Sequence, residues 1–303
     1  MINKRILKTA ALAVAMTVVF AIFAFRAADW TKGLNSEFIV YGQAGSGSSG
    51  GKVVAQIASG NFGDVEPRAY GTIMEVVNPG TAAITISGNF YNENGTAATI
   101  PYTSSASNLT ITNGAFSNYS LPAGAILVIS TGTTSGNTPT TGTTNWGKFT
   151  SSGNISVTTF FELRNSLTKQ LFARVGVAAS PANLGSFMIA RVREKQLPNS
   201  GLNDIDTGFA IVNTGSASTL ATVTIKDSTG ATVGTPKVIA LSPGQHVANF
   251  VSLLFSDLNE TAGAGRQYQY VRFDVGSSPA TLAATGLAIE GGNLSSFPVD
   301  TIQ

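Results

Sequence analysis

The stretch NPGTAAITISGNFYNENG, residues 78–95, has a counterpart in NTGSASTLATVTIKDSTG, residues 213–230. Each opens on Asn-x-Gly and closes on a glycine pair, Asn94-Gly95 or Thr229-Gly230, with 15 residues from Gly80 to Gly95 and from Gly215 to Gly230. Between these landmarks the side chains alternate. Ile84, Ile86 and Phe90 fall on one face, with Thr85, Ser87 and Asn89 on the other; Ala221, Val223 and Ile225 oppose Thr222, Thr224 and Lys226 in the same way. Period-two alternation marks a strand with one buried face, and the closing Gly supplies the positive φ of a tight hairpin.

Working outward, further landmarks recur in order. Leu121-Pro122-Ala123-Gly124 matches Leu241-Ser242-Pro243-Gly244, and Trp146-Gly147-Lys148-Phe149 matches Tyr270-Val271-Arg272-Phe273. Apolar strands follow at Ile155 to Leu163 and at Thr281 to Ile289, and each half closes on Phe172 to Val175 or Phe297 to Val299. Opening strands are expected at Val53 to Ala58 and Phe187 to Val192. Ordered landmarks along the whole module predict a tandem duplication. About seven short strands per copy, separated by turn signals, predict an all-β protein of two tandem immunoglobulin-like, Greek-key β-sandwich domains. The division expected is residues 53–182 for copy one and 183–303 for copy two, folding independently and joined near Pro181 to Gly185.

At motif level the chain resembles a tandem module of exported soil-bacterial proteins. The matching residues are Val54-Ala55-Gln56-Ile57-Ala58, Val77-Asn78-Pro79-Gly80, Leu121-Pro122-Ala123-Gly124, Gly176-Val177-Ala178-Ala179-Ser180, Thr207-Gly208-Phe209-Ala210-Ile211 and Phe297-Pro298-Val299. The resemblance covers roughly residues 53–303. It implies export and a two-sandwich architecture and assigns no activity.

The N-terminus reads as an address. Asn3, Lys4, Arg5 and Lys8 precede an apolar run from Ala10 to Phe25, as in a secretory signal. Residues 1–28 are therefore expected to be a signal peptide, or an anchor if uncleaved, and 29–52 a Gly/Ser-rich linker. Removing Lys4, Arg5, Lys8 and Arg26 from the 18 Lys and Arg leaves 14 against 16 Asp and Glu. Without a basic excess to neutralise phosphates, nucleic acid is not an expected partner. Cysteine is absent, which excludes disulfides, thiolate metal sites and a thiol nucleophile.

Chemistry-bearing residues are few. His246 is the only histidine, no Gly-x-Ser-x-Gly elbow accompanies it, and its place after Pro243-Gly244 predicts a surface residue. Glu75, Glu162, Glu290 and Asp274 lie in separate strand-like runs, with nothing to pair two of them as a glycosidase requires. Asn203, Asp204 and Asp206 offer hard oxygen ligands for a Ca²⁺ ion, without the Gly and closing Glu of an EF-hand loop. Tyr102, Tyr119 and Trp146 are expected to be exposed and to serve as platforms for a glycan. Segments found only in copy one, Tyr102 to Ser117 and Thr131 to Asn145, read as exposed loops. Val247, Phe250, Leu253, Leu254 and Leu258 of copy two have helical spacing, which predicts a helix over Val247 to Leu258 with Phe250, Leu253 and Leu254 inward.

These readings predict a non-catalytic exported surface or matrix protein, structural or adhesive, needing no cofactor. A carbohydrate-binding module is the alternative, marked by a row of solvent-facing aromatics on one sheet face; a secreted hydrolase ranks third. Expected partners are extracellular glycans or matrix and surface proteins, with a membrane touched only through the N-terminal segment.

Overall fold

The computed structural model describes residues 39–40, 51–61, 68–131, 141–198, 200, 204–258, 260–276, 281–290 and 293–302. The expected signal segment, most of the linker, Asn203 and the centre of the 131–145 loop lie outside them. Among the described residues no helix is long and apolar enough to cross a membrane.

The chain is all-β. Its first strands are β1 (Ile39–Val40), β2 (Lys52–Ser59), β3 (Arg68–Val77), β4 (Ile84–Asn92), β5 (Tyr102–Ser104), β6 (Ala115–Leu121) and β7 (Ile126–Thr131). Next come β8 (Thr143–Ser151), β9 (Ser156–Asn165), β10 (Leu171–Ala178), β11 (Ser180–Pro181), β12 (Phe187–Arg193), β13 (Asp206–Asn213) and β14 (Thr219–Lys226). The last are β15 (Thr232–Leu241), β16 (His246–Phe250), helix α1 (Val251–Leu254), β17 (Gln267–Val275), β18 (Leu282–Glu290), β19 (Asn293–Phe297) and β20 (Val299–Thr301).

The described residues form four sheets, ordered β1-β10-β9-β3-β7-β5, β11-β2-β8-β4-β6, β15-β14-β17-β12-β20 and β16-β13-β18-β19. Eight strands of each half, β2–β4 with β6–β10 and then β12–β19, follow one plan. The first, sixth, third and fourth neighbour one another in one sheet; the eighth, seventh, second and fifth do so in the other. The ladders are antiparallel except where β1 joins β10.

The first two sheets enclose one core, with Val54, Ile57, Met74, Val76, Ile86, Phe90, Leu127 and Phe149 among its members. The last two enclose another, around Phe187, Ile189, Phe209, Ile211, Val223, Ile225, Val271 and Phe273. Each pair is thus β-sandwich-like. The alternation of Ile84 to Phe90 and of Ala221 to Ile225 sits in the predicted phase: Ile86 and Phe90, and all three of the latter, are buried.

A third cluster joins the halves. Val53 and Ala55 on β2 and Trp146 on β8 pack with Val212 on β13 and Ala283 on β18, flanked by Tyr91 and Ala182. The outer face of the β2-β8-β4 sheet therefore meets the outer face of the β13-β18 sheet, and a fourth cluster carries the junction past the edge of that sheet, where Leu287 on β18 packs on Ala58, Phe161, Val175 and Val177 and β10 runs close to β19. β2 is consequently buried along its whole length, facing the first core on one side and the second half on the other. Low-charge sequence on both faces, as in KVVAQIAS, suits a strand with no solvent side.

Two sequence readings of local structure change. Val247 to Phe250 belongs to strand β16, paired to β13 with Val247 opposite Ile211, and α1 keeps only four residues. Val251 and Phe255 enter the core, whereas Phe250 lies over Gly208 on the outer face. Pairing with β13 satisfies the backbone of this stretch, which overrides its helical spacing. Tyr102 to Ser117 is likewise no plain loop, since Tyr102–Ser104 adds an edge strand to β7 and Ala115 to Ser117 begins β6.

Candidate functional site

The two Asn-x-Gly landmarks perform the same structural task. Asn78 and Asn213 are fully buried. The Asn78 amide nitrogen donates to the carbonyls of Ala82, Leu121 and Pro122 at 2.8, 3.1 and 3.0 Å, while its oxygen accepts from Gly80 N–H at 3.0 Å. The Asn213 amide donates to Ala217 and Leu241 at 2.8 and 3.1 Å and accepts from Gly215 N–H at 3.0 Å. The Leu-Pro-Ala-Gly and Leu-Ser-Pro-Gly turns are held in return, as Gly124 N–H donates to the Asn78 carbonyl and Gly244 N–H to that of Asn213. Each asparagine therefore ties the start of the third strand to the end of the fourth.

Two of the acidic groups considered for chemistry, Glu162 and Asp274, are held by arginines. Glu162 is fully buried on β9 and accepts from Arg164 and Arg174. Burial works to raise its pKa, but the two guanidinium partners outweigh it and the carboxyl is held below its usual range. Asp274, on a different sheet, pairs with Arg272 and accepts from Ser186. Glu162 and Asp274 therefore lie in different sandwich-like halves, and Glu290 lies on β18.

Asp204 and Asp206 sit in a charged cluster at one end of the second core. Arg191 and Arg193 occupy the inward positions of β12 after Phe187 and Ile189, and both are buried. Arg191 binds Glu260 and Gln269; Arg193 binds Glu260, Asp204 and the Ile205 carbonyl. Asp204 also accepts from Gln196 N–H, and Asp206 from Thr207 N–H and Ser252. Burial is the largest influence on Asp206 and raises its carboxyl pKa despite those hydrogen bonds and nearby Arg193. A cation favours ionised ligands in cation-free surroundings, and here guanidinium groups already fill that place. Asp204 and Asp206 are thus engaged by protein groups, and Asn203, the third expected ligand, lies outside the described residues. Among the described residues no group of acidic or histidine side chains has metal-holding geometry.

The three expected aromatic platforms are placed differently from one another. Tyr102 stacks on Phe90 at 4.2 Å between centroids, and its buried hydroxyl, without a hydrogen-bond partner, has its pKa pushed up by desolvation. Trp146 is 4 % exposed, stacks on Tyr91 at 4.3 Å and donates from Nε1 to the Gly244 carbonyl at 2.9 Å. Tyr119 on β6 is half-buried against the first core. Tyr102 and Trp146 therefore offer no open ring face, because one fills the core and the other is covered by the second half.

His246 is also at this junction, and its expected surface position is corrected. It is 2 % exposed, and its backbone N–H donates to the Glu93 carbonyl at 2.8 Å. Burial pushes its imidazole down to about 4, against a weaker opposing pull from the Ala55 backbone. Neither ring nitrogen reaches a partner at full hydrogen-bond geometry. The turn glycines Gly95 and Gly244 meet here with positive φ of 83° and 71°, and a Cβ built on Gly95 would stand 2.9 Å from the Gly244 backbone. These turns carry glycine for both reasons.

An open aromatic pair exists elsewhere. Tyr268 and Tyr270 lie two residues apart on β17, on the outer face of its sheet; Tyr268 is 66 % exposed and Tyr270 half-buried. Register places Tyr270 between Ala190 and Lys226, and Tyr268 opposite Val192. Exposed apolar side chains Leu220 and Val238 lie on the same sheet. The signal was readable: QYQYVRF alternates around inward Val271 and Phe273, which puts both tyrosines outward. This face is the candidate functional surface.

No protein-family model, curated protein or solved structure matches this chain.

Proposed function

We infer that this chain is a non-catalytic exported protein with a structural or adhesive role, built from two duplicated immunoglobulin-like modules divided near residues 182 and 183. The observation that carries the reading is where its reactive groups are spent. Glu162 is locked between two arginines, Asp204, Asp206 and Glu260 serve the Arg191/Arg193 cluster, and His246 is sealed between the halves. A hydrolase needs such groups converging beside substrate. Export rests on the basic and apolar character of residues 3–25 and on the low charge of the remainder. The shared strand order and the paired Asn78 and Asn213 networks support duplication.

Carbohydrate binding is the second reading, favoured by the outward Tyr268 and Tyr270. Presenting the full chain to a panel of polysaccharides and matrix proteins, with retention and hydrolysis measured together, tests both. Retention without turnover is expected. Turnover that disappears in Glu162→Gln or His246→Gln would overturn the non-catalytic reading.

A further inference from the structure

The outer face of the β14-β17-β12 sheet occupies, in the second half, the position that the first half uses to hold its neighbour. Register makes the correspondence residue by residue. Tyr91 faces Trp146 as Lys226 faces Tyr270, Val53 faces Lys148 as Met188 faces Arg272, and Val54 faces Gly147 as Ile189 faces Val271. The buried patch of Val53, Ala55, Tyr91 and Trp146 thus corresponds to Met188, Ala190, Lys226 and Tyr270. The first patch is covered and the second is open.

The opposite side of the contact has a counterpart that is open at its Ile126 end, while Phe160 and Glu162, further along the same face, are buried. Val212 faces His246 and Ala283 as Val77 faces Ile126 and Ser156. Val212, Ala283 and His246 are buried at the junction, whereas Ile126 is 56 % exposed and Val77 and Ser156 are half-buried. One open face is therefore of the holding kind and belongs to the second half; the other, open at its Ile126 end, is of the held kind and belongs to the first. Their charges complement: Glu75 lies on the held side beside Val77, and Lys226 on the holding side beside Tyr270.

We propose that copies of this chain associate head to tail, the Tyr270 face of one seating the Ile126 face of the next and repeating the contact between the halves. Such a contact is heterologous, so it extends into a filament or closes into a ring rather than stopping at a two-fold dimer. The inference rests on the structural reading above and gives that role a mechanism of assembly.

The absence of cysteine makes a clean test, because engineered thiols are the only ones present. The full chain carrying both Ile126→Cys and Ala190→Cys, the latter at the exposed cross-strand neighbour of Tyr270, is treated with a short bis-maleimide. A link between the two positions within one molecule would leave the chain at monomer mass, so larger species report contacts between molecules. A ladder of dimers, trimers and longer species is expected from the double variant. Each single variant alone should stay monomeric, and mixing the two should give a dimer band and nothing larger. Absence of the ladder overturns the proposal, and so does cross-linking of either single variant alone, which would mean a like-with-like contact. Retention of a monomeric chain on an insoluble polysaccharide, lost in Tyr270→Ala, would give the face to a glycan instead. Enzymatic turnover would sink the structural reading and leave the ladder unaffected, so the two failures are distinguishable.

Discussion

Trp146 and Tyr270 stand at equivalent places on equivalent strands, yet one is sealed and the other half-open. Trp146 has Tyr91 stacked across the ladder, and the Gly244 carbonyl accepts its N–H from the neighbouring half. Tyr270 has Lys226 at the place of Tyr91. A sheet face of this plan becomes an interface when the cross-strand partner is a second aromatic and the loops at its rim can approach closely, as Gly95 and Gly244 do. Substituting Trp146→Ala should therefore have the largest effect. Removing a buried Trp typically costs about 3–5 kcal/mol, and here the lost contact couples the halves. Thermal unfolding should fall in temperature and split into two transitions; a single unshifted transition would mean that the cluster does not hold the halves together.

The same junction makes acid a second way to separate the two regions. In the folded chain the His246 imidazole is pushed down to about 4, whereas in the unfolded chain it has its usual value of 6.5. The unfolded state thus takes up the proton first. Stability is fully present above about 6.5 and declines as the pH falls towards 4, by about 3 kcal/mol in all. Glu162 and Glu260, both held below their ordinary value of 4.5, lose their contributions at lower pH, while Asp206, raised by burial, acts in the opposite direction to the histidine, so the histidine's share is read as the difference between parent and a His246 variant. Denaturant unfolding between pH 6.5 and 4.5 should show a steeper loss of stability in the parent than in His246→Leu. Equal slopes in both proteins would remove the assignment.

Where the halves agree, paired substitutions should agree too. Asn78→Ala and Asn213→Ala each remove a buried amide that bonds two or three carbonyls, and about 2–3 kcal/mol is expected from either. The measurement is the denaturant midpoint of each variant, and a large loss at one position with none at the other would break the structural equivalence.

These asparagines show how much could be read from sequence. Their recurrence before Gly80 and Gly215 marks a turn in each half, but a turn needs only the backbone; that each amide also reaches the far end of the fourth strand depends on a separation of 43 residues for Asn78 and Leu121. The strand phases were legible because period two is local. Arg191 and Arg193 were not, since MIARVRE read alone would send its charges outward. Their partner Glu260 is 69 and 67 residues away and is what makes the inward orientation tolerable. Trp146 and His246 failed for another reason. Each lies on the outer face of its sheet, and the face is buried by the other half, a relation that no single strand's pattern contains. Tyr268 and Tyr270 were readable from alternation alone because nothing in the chain overrides it.

The smallest effect is expected at that open face. Tyr270→Ala removes a half-exposed ring whose nearest ladder neighbours are Ala190 and Lys226, and Tyr268→Ser removes a side chain that is mostly in solvent. Neither leaves a buried polar group unpaired or opens a cavity in the Phe187–Phe273 core, where the rings stack at 4.7 Å on the other side of the sheet. Surface changes of this kind usually fall within about 0.5 kcal/mol of the parent, and Tyr270, being half-buried, should cost under about 1 kcal/mol. Denaturant midpoints of the two variants measure this directly beside Trp146→Ala. If Tyr270→Ala proves as costly as Trp146→Ala in a monomeric chain, the ring supports its own half, and the contrast between a used and an unused face collapses. If it leaves folding intact while the cross-linked ladder disappears, the tyrosine serves an encounter outside its own chain.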